Sequence, residues 1–238
     1  MFPYDAAVAT ALQTEPQSIA DVLSTMRTID SVCSQGDGLK WFNWLYLQVT
    51  QAVEDRVASG GFSDPAWLSE LDVRFATLYF NALKANAANQ ACPGCWAAVF
   101  AARDKIDIAR IQFALAGMNA HINHDLPLAI LSTCTGTQTE PHHSSPQYND
   151  YTGLNTAMDA LIDEAKKTLN VRLLGDPFPE ASHVEDTIAA WNLATAREKA
   201  WDTAESLWAS PSEIAATHMD VIDGLTTVIS KVLLTPAS

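Results

Sequence analysis

The sequence predicts an all-α fold, an irregular single-domain bundle of about eight helices around a buried central helix near residues 105–126. Three observations predict it. Helix start and stop signals recur along the chain, apolar residues repeat at steps of three and four, and alternating strand patterns are nearly absent. Residues 18–235 read as one domain and residues 1–17 as an N-terminal extension.

The elements follow from local signals. Ser18 with Asp21 resembles a capping box and opens a helix to about Val32. Gly36-Asp37-Gly38 ends the intervening loop, and an apolar face built on Trp41, Leu45, Val49 and Val53 predicts a helix to about Ala58. Gly60-Gly61 stops it. Asp64-Pro65 reads as an N-cap followed by proline at the first helical position, starting a helix that ends near Asn89. A short helix over 96–103 precedes the central one, and Pro127 is expected to bound or kink the latter. Residues 132–147, rich in Thr, Ser, Pro and His, read as a polar segment without regular structure. Helices are then expected over about 150–169 and 184–209. Ser210-Pro211-Ser212-Glu213 combines an N-cap, an N1 proline and an N3 glutamate for a last helix to about Leu234. The one strand-like run is Val171-Arg172-Leu173-Leu174. No internal repeat or sustained heptad pattern is present.

Composition excludes some functions. Asp and Glu number 28 against 14 Lys and Arg, a formal charge of −14, and no basic cluster exists to neutralise phosphates. Nucleic acid and anionic membrane surfaces are therefore not expected partners, and a small molecule is. No apolar run reaches membrane-spanning length and no signal peptide is visible, so a cytoplasmic location is expected. Cys92-Pro93-Gly94-Cys95 has redox-motif spacing, but no predicted strand precedes it and no second cysteine pair accompanies it. It reads as a helix–helix turn, its two cysteines either free or joined in a local disulfide.

The central helix carries the chemistry. At about 100° per residue, Ile108, Ile111, Leu115, Met118 and Ile122 form its core stripe. His121, His124 and Asp125 fall on one flank, Asn119 and Asn123 on the other. His121 and Asp125, four apart, face the same way, and a carboxylate beside an imidazole sets its tautomer and basicity. That pair suits acid–base catalysis, with His121 and Asp125 catalytic. Asn119 and Asn123 are candidate substrate-binding residues, as are Asn43, Trp191, Arg197 and Trp201. Asp72 and Arg74 could converge on the same place, and Gly117 leaves room for a ligand or a neighbouring helix. His121, His124 and Asp125 are also candidate metal ligands, although the zinc-protease and di-iron helical motifs are missing. No cofactor is required by the sequence, and a divalent metal is the alternative.

The run Ala116-Gly117-Met118-Asn119-Ala120-His121-Ile122-Asn123-His124-Asp125-Leu126-Pro127 resembles the signature of domain-of-unknown-function family 5995, uncharacterised and mostly actinobacterial. Gly36-Asp37-Gly38 with Phe42-Asn43 and Tyr46, and Trp191 with Ala196-Arg197 and Ala200-Trp201, extend the resemblance over roughly residues 18 to 235. It implies a single domain and a site around the central motif, and no reaction. The expected function is an enzyme acting on a small, largely apolar molecule by His/Asp acid–base chemistry, of lyase, isomerase or cyclase type. The alternatives are a metal-dependent hydrolase centred on His121, His124 and Asp125, and a non-catalytic binding or structural protein.

Overall fold

The computed structural model describes residues 2–169 and 192–236. The chain forms α1 (Asp5–Ala11), α2 (Ile19–Val32), α3 (Gly38–Ala58), α4 (Pro65–Ala87), α5 (Gly94–Ala102) and α6 (Arg110–Ala120). A π-helical turn (His121–Asp125) leads into α7 (Leu126–Thr137), followed by α8 (Pro146–Thr152), α9 (Asn155–Thr168), α10 (Leu193–Trp208) and α11 (Ser212–Leu233). No β-strand occurs among the described residues, and the all-α expectation holds. The strand-like run at 171–174 and Trp191 lie outside the described residues.

Capping side chains set several helix starts. The Ser18 hydroxyl accepts from Asp21 N–H at 3.2 Å, and Asp64 accepts from Trp67 N–H at 3.1 Å. Asp37 caps α3 through Leu39 N–H and forms a buried ion pair with Arg103. Asp5 of α1 also reaches Arg103, at 3.1 Å, so the N-terminal helix covers this pair. The expected cap at Ser210 does not form. Helix α11 starts two residues later, and the Ser210 hydroxyl instead donates back to Ser206 O.

The central helix is longer than the sequence suggested. Segments α6, the π turn and α7 are continuous from Arg110 to Thr137, running through Pro127. Proline has no N–H for the i−4 carbonyl, and the register change falls in the π turn just before it. There Leu126 N–H donates to His121 O, five residues back. The Thr-rich stretch stays helical, and within it Thr133, Thr135 and Thr137 donate their hydroxyls to carbonyls four residues earlier. Only residues 138–145 of the expected loop connect helices, after Gln138 ends α7 in the left-handed region at φ 55°. The single helix expected at about 150–169 is two, broken after Thr152.

Two glycines let α3 and α6 approach closely. The Phe42 ring fills the space a Cβ on Gly117 would occupy, and the Phe113 ring does the same at Gly38. Each helix thus sends one phenylalanine against the other's glycine, and α6 sinks into the core. Every residue from Ile111 to Ala120 is buried.

Candidate functional site

The π turn points its polar side chains into this core. His121 is fully buried and Asp125 nearly so. His121 Nδ1 lies 2.9 Å from Asp125 Oδ2, and His124 Nδ1 lies 2.7 Å from Asp125 Oδ1. Trp96, from the start of α5, donates Nε1–H to Asp125 Oδ2 at 2.8 Å. One carboxylate therefore accepts from two imidazoles and an indole. An ionised carboxylate only accepts, so Nδ1 of His121 carries the proton and its neutral ring keeps a lone pair on Nε2. That Nε2 has no hydrogen-bond partner among the described residues.

Aromatic rings enclose His121. Phe75 stacks on it with centroids 3.5 Å apart and planes 5° apart. Tyr46 meets it edge-on at 4.5 Å, and Phe42, Trp96 and Tyr79 complete the enclosure at 5.8, 5.9 and 6.2 Å. Burial in this apolar setting holds the His121 pKa below the usual histidine value, against the pull of Asp125. His124 also pays a burial penalty, but its bond to Asp125 and the charges of Asp125 and Asp223 outweigh it and raise its pKa. Burial opposes ionisation of Asp125 itself, yet the two histidine bonds keep its pKa below the usual carboxylate value.

Two of the enclosing rings, Tyr46 and Phe75, also line a cavity of about 30 Å³ together with Asp72, Leu126, Tyr151 and Arg197. That is enough to hold water, for which roughly 10–15 Å³ of such space suffices. Asp72 Oδ2 and the Tyr46 hydroxyl are buried there without partners among the described residues. Burial, with Glu54 adding repulsion, pushes the Asp72 carboxyl up to about 7. Burial and the neighbouring Asp72 push the Tyr46 hydroxyl well above its ordinary pKa, so it stays protonated.

The other sequence candidates divide. Arg197 lines the cavity, donating to Asn155 Oδ1 and Tyr151 O at 2.7 Å each. It lies over the Tyr151 ring at 3.9 Å. Trp201 is buried among Trp67, Tyr148 and Tyr151. Asn119 does not face His121: it donates to Thr226 O and Ser230 Oγ of α11 and accepts from Asn123. Asn43 donates to Met26 O, tying α3 to α2. Arg74 pairs with Glu70 and Ser132, away from the cavity. Trp191 lies outside the described residues.

The metal ligands expected from sequence are turned onto one another. Each Asp125 oxygen and each facing histidine nitrogen is engaged in the hydrogen bonds above. A set of ligand atoms within 4.8 Å of one another occurs instead at His143, Glu198 and Asp202. There the imidazole, with Glu205 on its other side, ties the 138–145 connection to α10. The cysteine turn is the N-terminus of α5. Asp223 of α11 caps it, accepting from Gly94 N–H at 2.7 Å and Cys95 N–H at 3.0 Å. Cys92 and Cys95 are both free thiols, and burial raises both pKa values.

Sequence reasoning missed Trp96, Phe75 and Tyr46. Their meeting around His121 depends on helices α3, α4 and α5, and no local spacing announces it. No helix among the described residues is long and apolar enough to cross a membrane. No curated protein matches the chain, and no solved structure does. A family model does match, over residues 19–236, and the chain belongs to that family of unknown function, DUF5995.

Proposed function

We propose that this chain is an enzyme performing acid–base chemistry on a small, largely apolar molecule, with His121 as the base. The observation that carries the reading is the unpartnered Nε2 of a fully buried, neutral His121 whose other nitrogen is fixed by Asp125. A buried polar nitrogen left without a partner is costly, and such exceptions concentrate where chemistry occurs; the unpartnered Tyr46 hydroxyl and Asp72 Oδ2 belong to the same region. The π turn supports the same reading, since these rare insertions into α-helices are frequent at functional sites. Asp125 orients the ring and stabilises the imidazolium that forms when Nε2 takes a proton. Asp72, with its carboxyl pushed up to about 7, is the complementary proton donor at the cavity. Proton abstraction at one atom and return at another is the pattern of an isomerase, lyase or cyclase.

The cavity beside Tyr46 and Phe75 then serves as the substrate subsite, and the Phe75 ring, stacked on His121, must swing aside for a molecule to reach Nε2. A non-catalytic reading is favoured by one observation: the cavity, about 30 Å³, is far below the roughly 300–1,000 Å³ of ordinary ligand pockets. In that reading the Asp125 network only stitches α5 to the central helix. No geometric observation favours the metallohydrolase.

Small enolisable ketones, lactones and epoxides should be screened for turnover against wild type and His121→Gln. Turnover abolished in His121→Gln, with folding and ligand affinity retained, is the expected result. Undiminished turnover in that variant overturns the assignment of His121 as the base.

A further inference from the structure

Helix α11 buries Met219 and Leu233 yet also carries apolar side chains on its outer face. Its core side carries Thr226 and Ser230, which serve Asn119, and Asp223, which caps α5. Its outer side carries Ile214, Val221, Leu225, Val228, Ile229 and Val232, each 42% to 60% exposed. These are nearly all the large apolar side chains that stand exposed among the described residues, the other being Ile106.

The outer residues have a register. Ile214, His218, Val221, Leu225, Val228 and Val232 succeed one another at steps of four, three, four, three and four. That is the seam spacing by which one helix packs along another. The run is too short to read as a coiled coil in sequence, and its exposure is what gives it meaning. Gly224 lies next to this seam, near the middle of the helix. Elsewhere in the helices, Gly38, Gly94, Gly117 and Gly136 each face an atom within 3 Å of where a Cβ would stand. Gly224 faces nothing within 4 Å. Glycine weakens a helix interior, and in this protein those helical glycines admit a close neighbour.

We propose that α11 pairs antiparallel with α11 of a second copy of this chain, across a two-fold axis near Gly224. The charge pattern selects both partner and direction. Glu213 lies in the first turn of α11 and Lys231 in the last. Antiparallel pairing brings each Lys231 near the other copy's Glu213, whereas parallel pairing leaves the two Glu213 at one end and the two Lys231 at the other. A two-fold contact is self-complementary, so one surface suffices. The exposed seam and its flanks would bury on the order of 1,000 Å² over the two copies, the lower bound for a specific interface.

Sedimentation equilibrium on the full chain tests this. Wild type should sediment at twice 25.8 kDa in the micromolar range. Leu225→Glu, on an exposed position, should weaken the dimer on the order of a hundredfold with an unchanged circular dichroism spectrum. Gly224→Ala should weaken it too, although alanine is the better helix former. Glu213→Lys and Lys231→Glu should each weaken it several-fold, and the double variant should restore it. A wild type that stays monomeric, or a dimer indifferent to Leu225→Glu and Gly224→Ala, overturns the interface. A dimer weakened by those two and indifferent to the charge exchange overturns the antiparallel arrangement.

Discussion

His121 and Asp125 are joined Nδ1 to Oδ2 at 2.9 Å inside a π turn, and the same carboxylate takes a second imidazole and the Trp96 indole. Three donors on one buried carboxylate make Asp125 the residue on which this region depends. Asp125→Asn replaces one acceptor oxygen by an amide that can only donate, facing rings that also donate. It should lower unfolding stability by about 3–5 kcal/mol in urea titration, the cost of breaking a buried charged network. Trp96→Phe removes a single donor and should cost about 1–3 kcal/mol.

The two histidines should titrate on opposite sides of pH 6.5. Ring resonances followed by NMR should place His121 below that value and His124 above it. The linkage signs differ accordingly. His124, with its folded pKa raised, contributes stability that is complete below pH 6.5 and is lost as pH rises through its folded pKa. His121, with its folded pKa lowered, contributes stability above pH 6.5 that is lost as pH falls toward its folded pKa. The stability deficit of His124→Gln should therefore be larger at about pH 5.5 than at about pH 8.

Asp72 is the opposite case to Asp125. Its pKa is raised from 3.8 to about 7, so ionising it in the folded state is unfavourable and stability falls as pH rises between those values. Asp72→Asn is isosteric and uncharged. It should match wild type below about pH 4 and exceed it by up to about 4 kcal/mol at about pH 8 in denaturant titrations.

The contact of Phe42 with Gly117 should behave as a coupled pair. Gly117→Ala drives a methyl into the Phe42 ring and should cost about 1–3 kcal/mol. Phe42→Ala alone should cost about 3–5 kcal/mol through the cavity it leaves. In the double variant the methyl fills part of that cavity, so the measured loss should be smaller than the sum of the single losses.

Much of the helix pattern could be read from local chemistry. The starts of α2 and α4 follow Ser18 and Asp64, whose capping bonds lie within four residues. The His121–Asp125 contact was legible for the same reason, its partners being one turn apart. What failed was long-range or a change of period. A fixed 100° step does not survive a π turn, which inserts a residue and rotates the rest of the helix relative to the part before it. Asn43 and Asn119 were assigned to substrate because the carbonyls they bind, Met26 O and Thr226 O, belong to other helices. Thr133 to Thr137 read as loop because their hydroxyls could satisfy themselves within the helix, a possibility composition does not display.

Whether His121 offers a neutral, unpartnered Nε2 to an incoming small molecule is tested most directly by its reactivity. Diethyl pyrocarbonate is a small apolar electrophile that attacks unprotonated imidazole nitrogen. The native protein should be treated near neutral pH and the modified histidines mapped by mass spectrometry. The expected result is modification of His121 at Nε2 in protein that keeps its native circular dichroism spectrum. Reaction at the surface residues His142 and His143 with His121 untouched would contradict it, and would leave the Asp125 network as a purely structural tie.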